Sequence, residues 1–180
     1  MTKMLAVVGI IAIAAFGLAA NDEKVVTRFD GGIGVQPVLM NTATFMPFLH
    51  VVRGIGPGAL PWAIHSLKAR LEADGELEVR GRGLVLAAGI APTGAFVPIG
   101  TRGDLTAVRA LLFCGASNTP HVSPTGALDV DGDFKIDGVL TPAVGLTCPN
   151  PTLLIVVGAG TAQSPFRWIA AGIPDNDDKN

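Results

Sequence analysis

Apolar and polar residues alternate with a period of two along much of this chain, most regularly between residues 61 and 79. Ala63, His65, Leu67, Ala69 and Leu71 occupy one parity, and the residues between them are mostly polar or charged. A period of two over this length predicts a half-buried β-strand, because successive side chains of a strand point to opposite faces. We expect the return strand to carry Leu77 and Val79 on the same buried face.

An Asp-Gly dipeptide separates the two arms, which is a strong hairpin signal between alternating apolar residues. A two-residue loop would place Leu71 opposite a polar residue and mix the two faces. A three-residue loop, Ala73-Asp74-Gly75, keeps the faces separate and gives Gly75 the left-handed position of a bulged type I turn. The predicted cross-strand pairs are Leu71 with Leu77, Ala69 with Val79, and Arg70 with Glu78.

The same pattern recurs over residues 128–136, again folded over an Asp-Gly. Each copy places three acids at its predicted tip, and in the three-residue-loop register two of them face each other. These acids are Glu72, Asp74 and Glu76 in the first copy, and Asp129, Asp131 and Asp133 in the second.

Asp129, Asp131 and Asp133 are candidate calcium ligands, because they have the spacing of positions 1, 3 and 5 of a calcium-binding loop. Phe134 stands where that loop needs glycine, and Leu140 stands where it needs a bidentate acid. These two departures argue against a helix–loop–helix site. Two interpretations remain open: a weaker cation site at the tip, or solvated acids that discourage aggregation.

Further short runs of β-branched and apolar residues are separated by Gly- and Pro-rich segments, such as residues 53–58, 91–103 and 115–125. No run outside the N-terminus has a helical period. The sequence predicts an all-β fold: a single antiparallel β-sandwich or barrel-like domain of about eight to ten strands. The additional strand candidates are residues 25–29, 34–40, 44–52, 84–88, 105–114, 152–157 and 165–173.

The composition agrees with a β domain of one unit, with 23 Gly and 13 Pro among 180 residues and only 16% charged residues. The net charge of −2 gives no basic field for nucleic acid. We expect the β domain to span residues 21–173, and residues 174–180 to form an acidic disordered tail.

The N-terminus is expected to direct export. Lys3 precedes an uncharged apolar run that ends in small residues near Ala19 and Ala20, which is typical of a secretory signal peptide. The alternative is an uncleaved membrane anchor formed by residues 4–20, although the run is slightly shorter than the roughly 20 residues that span a bilayer. The predicted location is therefore periplasmic or extracellular, with membrane contact only through this segment.

Cys114 and Cys148 are the only cysteines. In an exported protein an even pair predicts a disulfide, and no Cys-x-x-Cys or neighbouring His favours a reactive thiol. Two buried free thiols remain the alternative.

No catalytic or cofactor-binding residue is predicted. His50, His65 and His121 lack metal-ligand spacing, and His65 shares the apolar parity of its strand, which favours a core or edge histidine. No Gly-x-Ser-x-Gly motif marks a serine nucleophile. Lys68, Arg80 and Arg82 are expected on the solvent face of the first hairpin, as a basic strip for an acidic glycan or lipid surface, or simply as solvated charges.

From Trp62 onward the chain resembles an uncharacterised family of small secreted bacterial proteins. The residues that carry the resemblance are the first hairpin with Gly81–Leu86, Leu112-Phe113-Cys114, Asp131–Asp137 and the closing Trp168–Ile173. The resemblance implies export and a compact β domain, and it brings no catalytic residues.

These observations lead to one main hypothesis and two alternatives. The main hypothesis is a secreted, non-enzymatic β module with a structural or binding role at the cell surface or outside the cell, where a surface protein or glycan would be its partner. The alternatives are a secreted hydrolase whose site is assembled from loops, and an adhesion module stabilised by calcium.

Overall fold

The chain forms β-strands throughout the part that the computed structural model describes, which is residues 24–40, 47–87, 89 and 96–175. The expected signal segment and the end of the acidic tail lie outside these residues. The strands are β1 (Val25–Gly34), β2 (Val38–Met40), β3 (Pro47–Leu49), β4 (Gly56–Pro57), β5 (Trp62–Ala63), β6 (Ser66–Glu72), β7 (Glu76–Arg82), β8 (Val85–Leu86), β9 (Ala107–Phe113), β10 (His121–Val122), β11 (Gly126–Ala127), β12 (Phe134–Val139), β13 (Thr152–Val157) and β14 (Arg167–Pro174).

One curled sheet of ten strands dominates the molecule. Its order is β10-β9-β13-β14-β1-β6-β7-β12, with β11 beside β9 and β4 beside β14. All neighbours are antiparallel except β4 and β14, which run parallel over two residues. The all-β prediction is therefore confirmed, in its barrel-like form.

The two ends of the sheet approach each other. Val122 of β10 and Thr141, just after β12, exchange two backbone hydrogen bonds of 2.8 and 2.9 Å. β11 fits between β9 and β12 because Gly126 has no side chain: a Cβ there would lie 2.4 Å from the carbonyl oxygen of Lys135. The sheet thus curls into a barrel-like form in which its first and last strands are joined by this pair of hydrogen bonds.

The first hairpin has the predicted register. Leu71 lies opposite Leu77 and Ala69 opposite Val79. Gly75 has φ +89°, and its amide donates to the carbonyl oxygen of Glu72, which closes the three-residue loop. The requirement to keep apolar residues on one face was sufficient to determine this register.

The second Asp-Gly turn forms, but the segments on either side of it do not pair with each other as a hairpin beyond a single bridge. Leu128 and Phe134 form a single bridge, and Asp129 faces Asp133 as expected. The preceding strand β11 pairs with β9, whereas β12 pairs along its whole length with β7. The local pattern predicted the turn, and long-range pairing decided where the first arm goes.

The interior of the curled sheet is filled with apolar side chains. On β6 and β7 every second residue is buried, whereas four consecutive residues of β13, Leu153–Val156, are buried because both faces of this strand are covered. The segment before β6 provides part of that cover: the indole of Trp168 donates to the carbonyl oxygen of His50 at 2.9 Å. The imidazole of His50 also meets the indole of Trp168 edge to face, with the ring centroids 4.8 Å apart.

Cys114 and Cys148 form the predicted disulfide, with their Cα atoms 4.7 Å apart. Cys114 directly follows β9, and Cys148 lies in the loop before β13, which is the neighbour of β9. The bond therefore joins the connections at one end of two adjacent strands.

Three details differ from the sequence prediction. The single strand expected from Ala63 to Leu71 is broken at residues 64–65, because Trp62 and Ala63 pair with β8 instead of β7. Ala63 and His65 are consequently exposed, so His65 is not a core histidine. The predicted loop over residues 53–58 contains β4, and the loop over residues 115–125 contains β10.

Candidate functional site

The charged side chains of β1, β6, β7 and β12 lie on the outer surface of the sheet. Lys68 and Arg70 point outward on β6, between the buried Leu67, Ala69 and Leu71. The same alternation on the other three strands places further charges on this side. We call this surface the charged face; its members are Arg28, Asp30, Lys68, Arg70, Glu72, Glu76, Glu78, Arg80, Arg82, Lys135 and Asp137.

Strand pairing arranges these side chains in rows that cross the sheet. One row runs Asp30, Lys68, Arg80, Lys135, in successive register from β1 to β12. The next row runs Arg28, Arg70, Glu78, Asp137.

Charge is sorted along the strands as well. The four outward residues of β7 are Glu76, Glu78, Arg80 and Arg82, in that order. On β12, Lys135 lies beside Arg80, and Asp137 lies beside Glu78. Over these two strands the charged face therefore has an acidic half and a basic half.

Ion pairs connect the two halves. Arg80 donates to Glu78 Oε1 from Nε and Nη2, at 2.8 and 2.6 Å. Lys135 Nζ lies 2.6 Å from Asp137 Oδ2 and 3.6 Å from Glu78 Oε1. Each of these pairs is solvent-exposed and so contributes little to stability, about 0–1 kcal/mol.

The titration of these groups follows from the contacts. The hydrogen bond from Arg80 lowers the pKa of Glu78. Hydrogen bonding between Lys135 and Asp137 lowers the pKa of the acid and raises that of the lysine. Desolvation raises the pKa of Glu76, and repulsion from Asp137 adds to the rise.

Two shallow grooves lie on the charged face. A groove of about 390 Å³ crosses β1, β6 and β7 and is lined by Lys68, Arg70 and Arg80 among others. A smaller one, of about 210 Å³, is lined by Arg70, Glu72, Glu76, Glu78 and Asp137. Grooves that are shallow and lined by charge suit contact with another macromolecule more than enclosure of a small ligand.

The predicted basic strip is part of this surface. Lys68 lies opposite Arg80, and Arg82 continues the strip opposite Ser66. Sequence reasoning missed Lys135, because nothing local indicated that β12 pairs with β7. It also missed the separation of acidic from basic residues along β7, although the sequence Glu-Leu-Glu-Val-Arg-Gly-Arg shows two acids followed by two cations at alternate positions.

The acids of the second tip make hydrogen bonds within the turn. Asp129 Oδ1 accepts from the amides of Asp131 and Asp133, at 2.9 and 2.8 Å. Asp133 Oδ1 accepts from the amide of Gly83 at 2.9 Å, which ties the tip to the end of β7. In the described part of the chain, no group of three or more His, Cys, Asp or Glu side chains is placed to hold a metal. Calcium binding at Asp129, Asp131 and Asp133 stays a prediction.

The first tip differs, because Glu72 is buried there. Its side chain is only 9% exposed and pairs with Arg70. Asp74 Oδ1 accepts from the amide of Glu76 at 2.9 Å, as an Asx turn.

Two of the three histidines make structural contacts. His121 Nδ1 lies 2.7 Å from the carbonyl oxygen of Pro142, and His50 packs on Trp168. Ser123, the buried serine, accepts from the amide of Ala110 and donates to the carbonyl oxygen of Pro124. These groups serve the structure of the barrel.

No known protein family, curated protein or solved structure matches this chain. Across the residues that the structure describes, no helix is long and apolar enough to cross a membrane.

Proposed function

We propose that this protein is an exported, non-enzymatic β module with a structural or binding role at the cell surface or outside the cell. The observation that carries the proposal is the charged face, on which four adjacent strands carry eleven charged side chains, all but Glu72 open to solvent. A surface of this kind recognises by charge complementarity, and it sits on a rigid sheet that needs no rearrangement to bind.

The rest of the molecule supports a binding role. The interior of the barrel is filled by apolar side chains such as Phe29, Leu71 and Ile136, each at most 2% exposed. A hydrolase would need convergent polar groups in a concave site. The charged face instead offers shallow grooves and ion pairs.

Export rests on two supports. The first is the apolar N-terminal segment with the pattern of a signal peptide. The second is the disulfide between Cys114 and Cys148, a bond that persists in oxidising compartments.

Fractionation of cells that express the full chain tests export. The expected result is disulfide-bonded protein outside the cytoplasm, shortened by about 20 residues if cleavage follows Ala19 or Ala20. Protein that stays in the cytoplasm with both thiols free would contradict the proposal.

Retention on isolated cell envelopes of the producing organism tests binding. The purified chain is compared with a variant in which Lys68, Arg80 and Lys135 are changed to Gln, and with the control Arg167→Gln, which removes an exposed charge from β14. Retention of the wild type and of the control should fall as salt is added. At low salt, retention should be reduced in the triple variant only. Equal retention of all three proteins, or turnover of ester, peptide or glycoside substrates by the wild type, would refute the binding role.

A further inference from the structure

The sorted charge makes the charged face complementary to itself. β7 presents Glu76 and Glu78 on one side of Val79, and Arg80 and Arg82 on the other. Val79 lies opposite Ile136 of β12 and Ala69 of β6, and the line through Val79 and Ile136 separates the acidic from the basic side chains of β7 and β12.

A two-fold axis along that line would place a second copy face to face on the first. Rotation by 180° about an in-plane axis inverts the strand direction and leaves the strand order unchanged. β7 of each copy would then lie antiparallel over β7 of the other, and β12 over β12. An isologous contact of this type is the commonest way in which identical chains associate.

The register determines which charges would meet. Positions equidistant from Val79 are exchanged, so Arg80 would face Glu78 of the second copy, and Arg82 would face Glu76. On β12, Lys135 would face Asp137, because both flank Ile136. β1 adds Asp30 against Arg28, since both flank Phe29, which lies opposite Ala69.

β6 is the exception. Lys68 and Arg70 flank Ala69, so the same rotation would bring these two cations together. β1, β7 and β12 thus bring opposite charges together, whereas β6 brings two cations together and places Glu72 against the uncharged Ser66. The exception is useful, because it predicts an effect of opposite sign for a charge reversal at Lys68.

We infer that the charged face is a self-association surface, on which a second copy of this chain packs about a two-fold axis that crosses β7 at Val79. The inference rests on the proposed function, because it takes the charged face as the surface through which the protein acts. The contact is built from exposed charges with few apolar anchors, so the dimer is weak and depends on high local concentration and low salt.

Sedimentation velocity on the chain, expressed at full length and purified as the cell processes it, tests the inference. The wild type should dimerise, with a dissociation constant that rises about tenfold or more between roughly 0.05 and 0.5 M salt. Arg167→Glu, on β14, is the control and should behave as the wild type. A wild type that is monomeric at low salt and high concentration would overturn the inference.

Two variants separate sorting from net charge. Combining Glu78→Arg with Arg82→Glu preserves the net charge of β7, but the cation introduced at position 78 would face Arg80 of the second copy and the acid introduced at position 82 would face Glu76, so association should be lost. Lys68→Glu should tighten the dimer, whereas it would weaken any binding of a polyanion. Association of the double variant of β7 at wild-type strength, or weakening of the dimer by Lys68→Glu, would overturn the inference. Circular dichroism checks that each variant is folded.

The outcomes also separate this inference from the proposed function. A monomeric chain that is still retained on envelopes through Lys68, Arg80 and Lys135 would remove self-association and leave the binding role intact. A chain that dimerises as described but shows no salt-dependent retention would support the inference, and it would restrict the binding role to contacts between copies.

Discussion

Gly81→Ala is expected to destabilise the barrel because the ring of Phe134 occupies the space of the missing side chain. Gly81 lies on the inward face of β7, directly opposite Phe134 of β12. A Cβ built at Gly81 would lie 2.1 and 2.2 Å from ring atoms Cε1 and Cζ. Favourable carbon contacts lie at about 3.5–4.0 Å, so the ring has to move by more than an ångström.

The size of the effect follows from two opposing terms. Overpacking of a core side chain costs about 1–3 kcal/mol, and Phe134 is buried, at 6% exposure. Replacing glycine within a strand recovers about 0.5–1 kcal/mol of backbone entropy. The net loss in the free energy of unfolding should therefore be about 1 kcal/mol and at most about 2.5 kcal/mol, measured by urea denaturation.

A double-mutant cycle isolates the cause. In a Phe134→Leu background, which itself costs about 1–3 kcal/mol, Gly81→Ala should be neutral or slightly stabilising. Gly145→Ala is the control, because no heavy atom lies within 4 Å of its added Cβ, and it should change stability by less than about 0.5 kcal/mol. If the costs of Gly81→Ala and Phe134→Leu simply add, the ring is not the reason for the glycine.

Three further predictions concern other parts of the molecule. Replacing both Cys114 and Cys148 with Ala should lower the free energy of unfolding by up to roughly 4 kcal/mol, as judged by urea denaturation, because the bond closes a loop over a sequence separation of 34 residues; an unchanged midpoint would contradict this. Asp129→Ala should lower the free energy of unfolding by about 1–3 kcal/mol in urea denaturation, since two backbone amides lose their acceptor; the calcium site predicted at this tip would raise the melting temperature of the wild type when Ca²⁺ is added, and an unchanged melting temperature would exclude it. The pKa of Glu76 is raised in the folded state, so the folded state binds a proton more readily than the unfolded state and stability declines as pH rises through that pKa. Glu76→Gln should therefore stabilise the protein at about pH 7 and not at about pH 3.5. Equal effects at both pH values would exclude the charge of Glu76 as the cause.

The first hairpin illustrates how far local sequence can go. Its register, its loop length and the left-handed Gly75 followed from the alternation of apolar residues around a single Asp-Gly. A slip of one residue would have turned every apolar side chain to solvent, so only one register was compatible with a buried face. The strands β9, β13 and β14 were also expected from their apolar runs, although their neighbours were not.

The second Asp-Gly shows where local reasoning fails. The turn was predicted, but its first arm β11 pairs with β9, and β12 pairs with β7 instead. The choice depends on which strand edges remain free once the sheet has curled. It also depends on the close approach that Gly126 permits to Lys135. No short window of sequence contains that information.

The sequence by itself determined the class of fold and which side chains of β6 and β7 face solvent, because these depend on period and composition. It predicted the disulfide between Cys114 and Cys148 without excluding two free thiols. Only the tertiary structure decided that β12 lies beside β7. That neighbour brings Lys135 to Arg80 and Asp137 to Glu78, which extends the two charged halves across the sheet. The physical reason is that strand partners are chosen by long-range hydrogen bonding and by the burial of a shared interior, and both exist only once the chain has closed on itself.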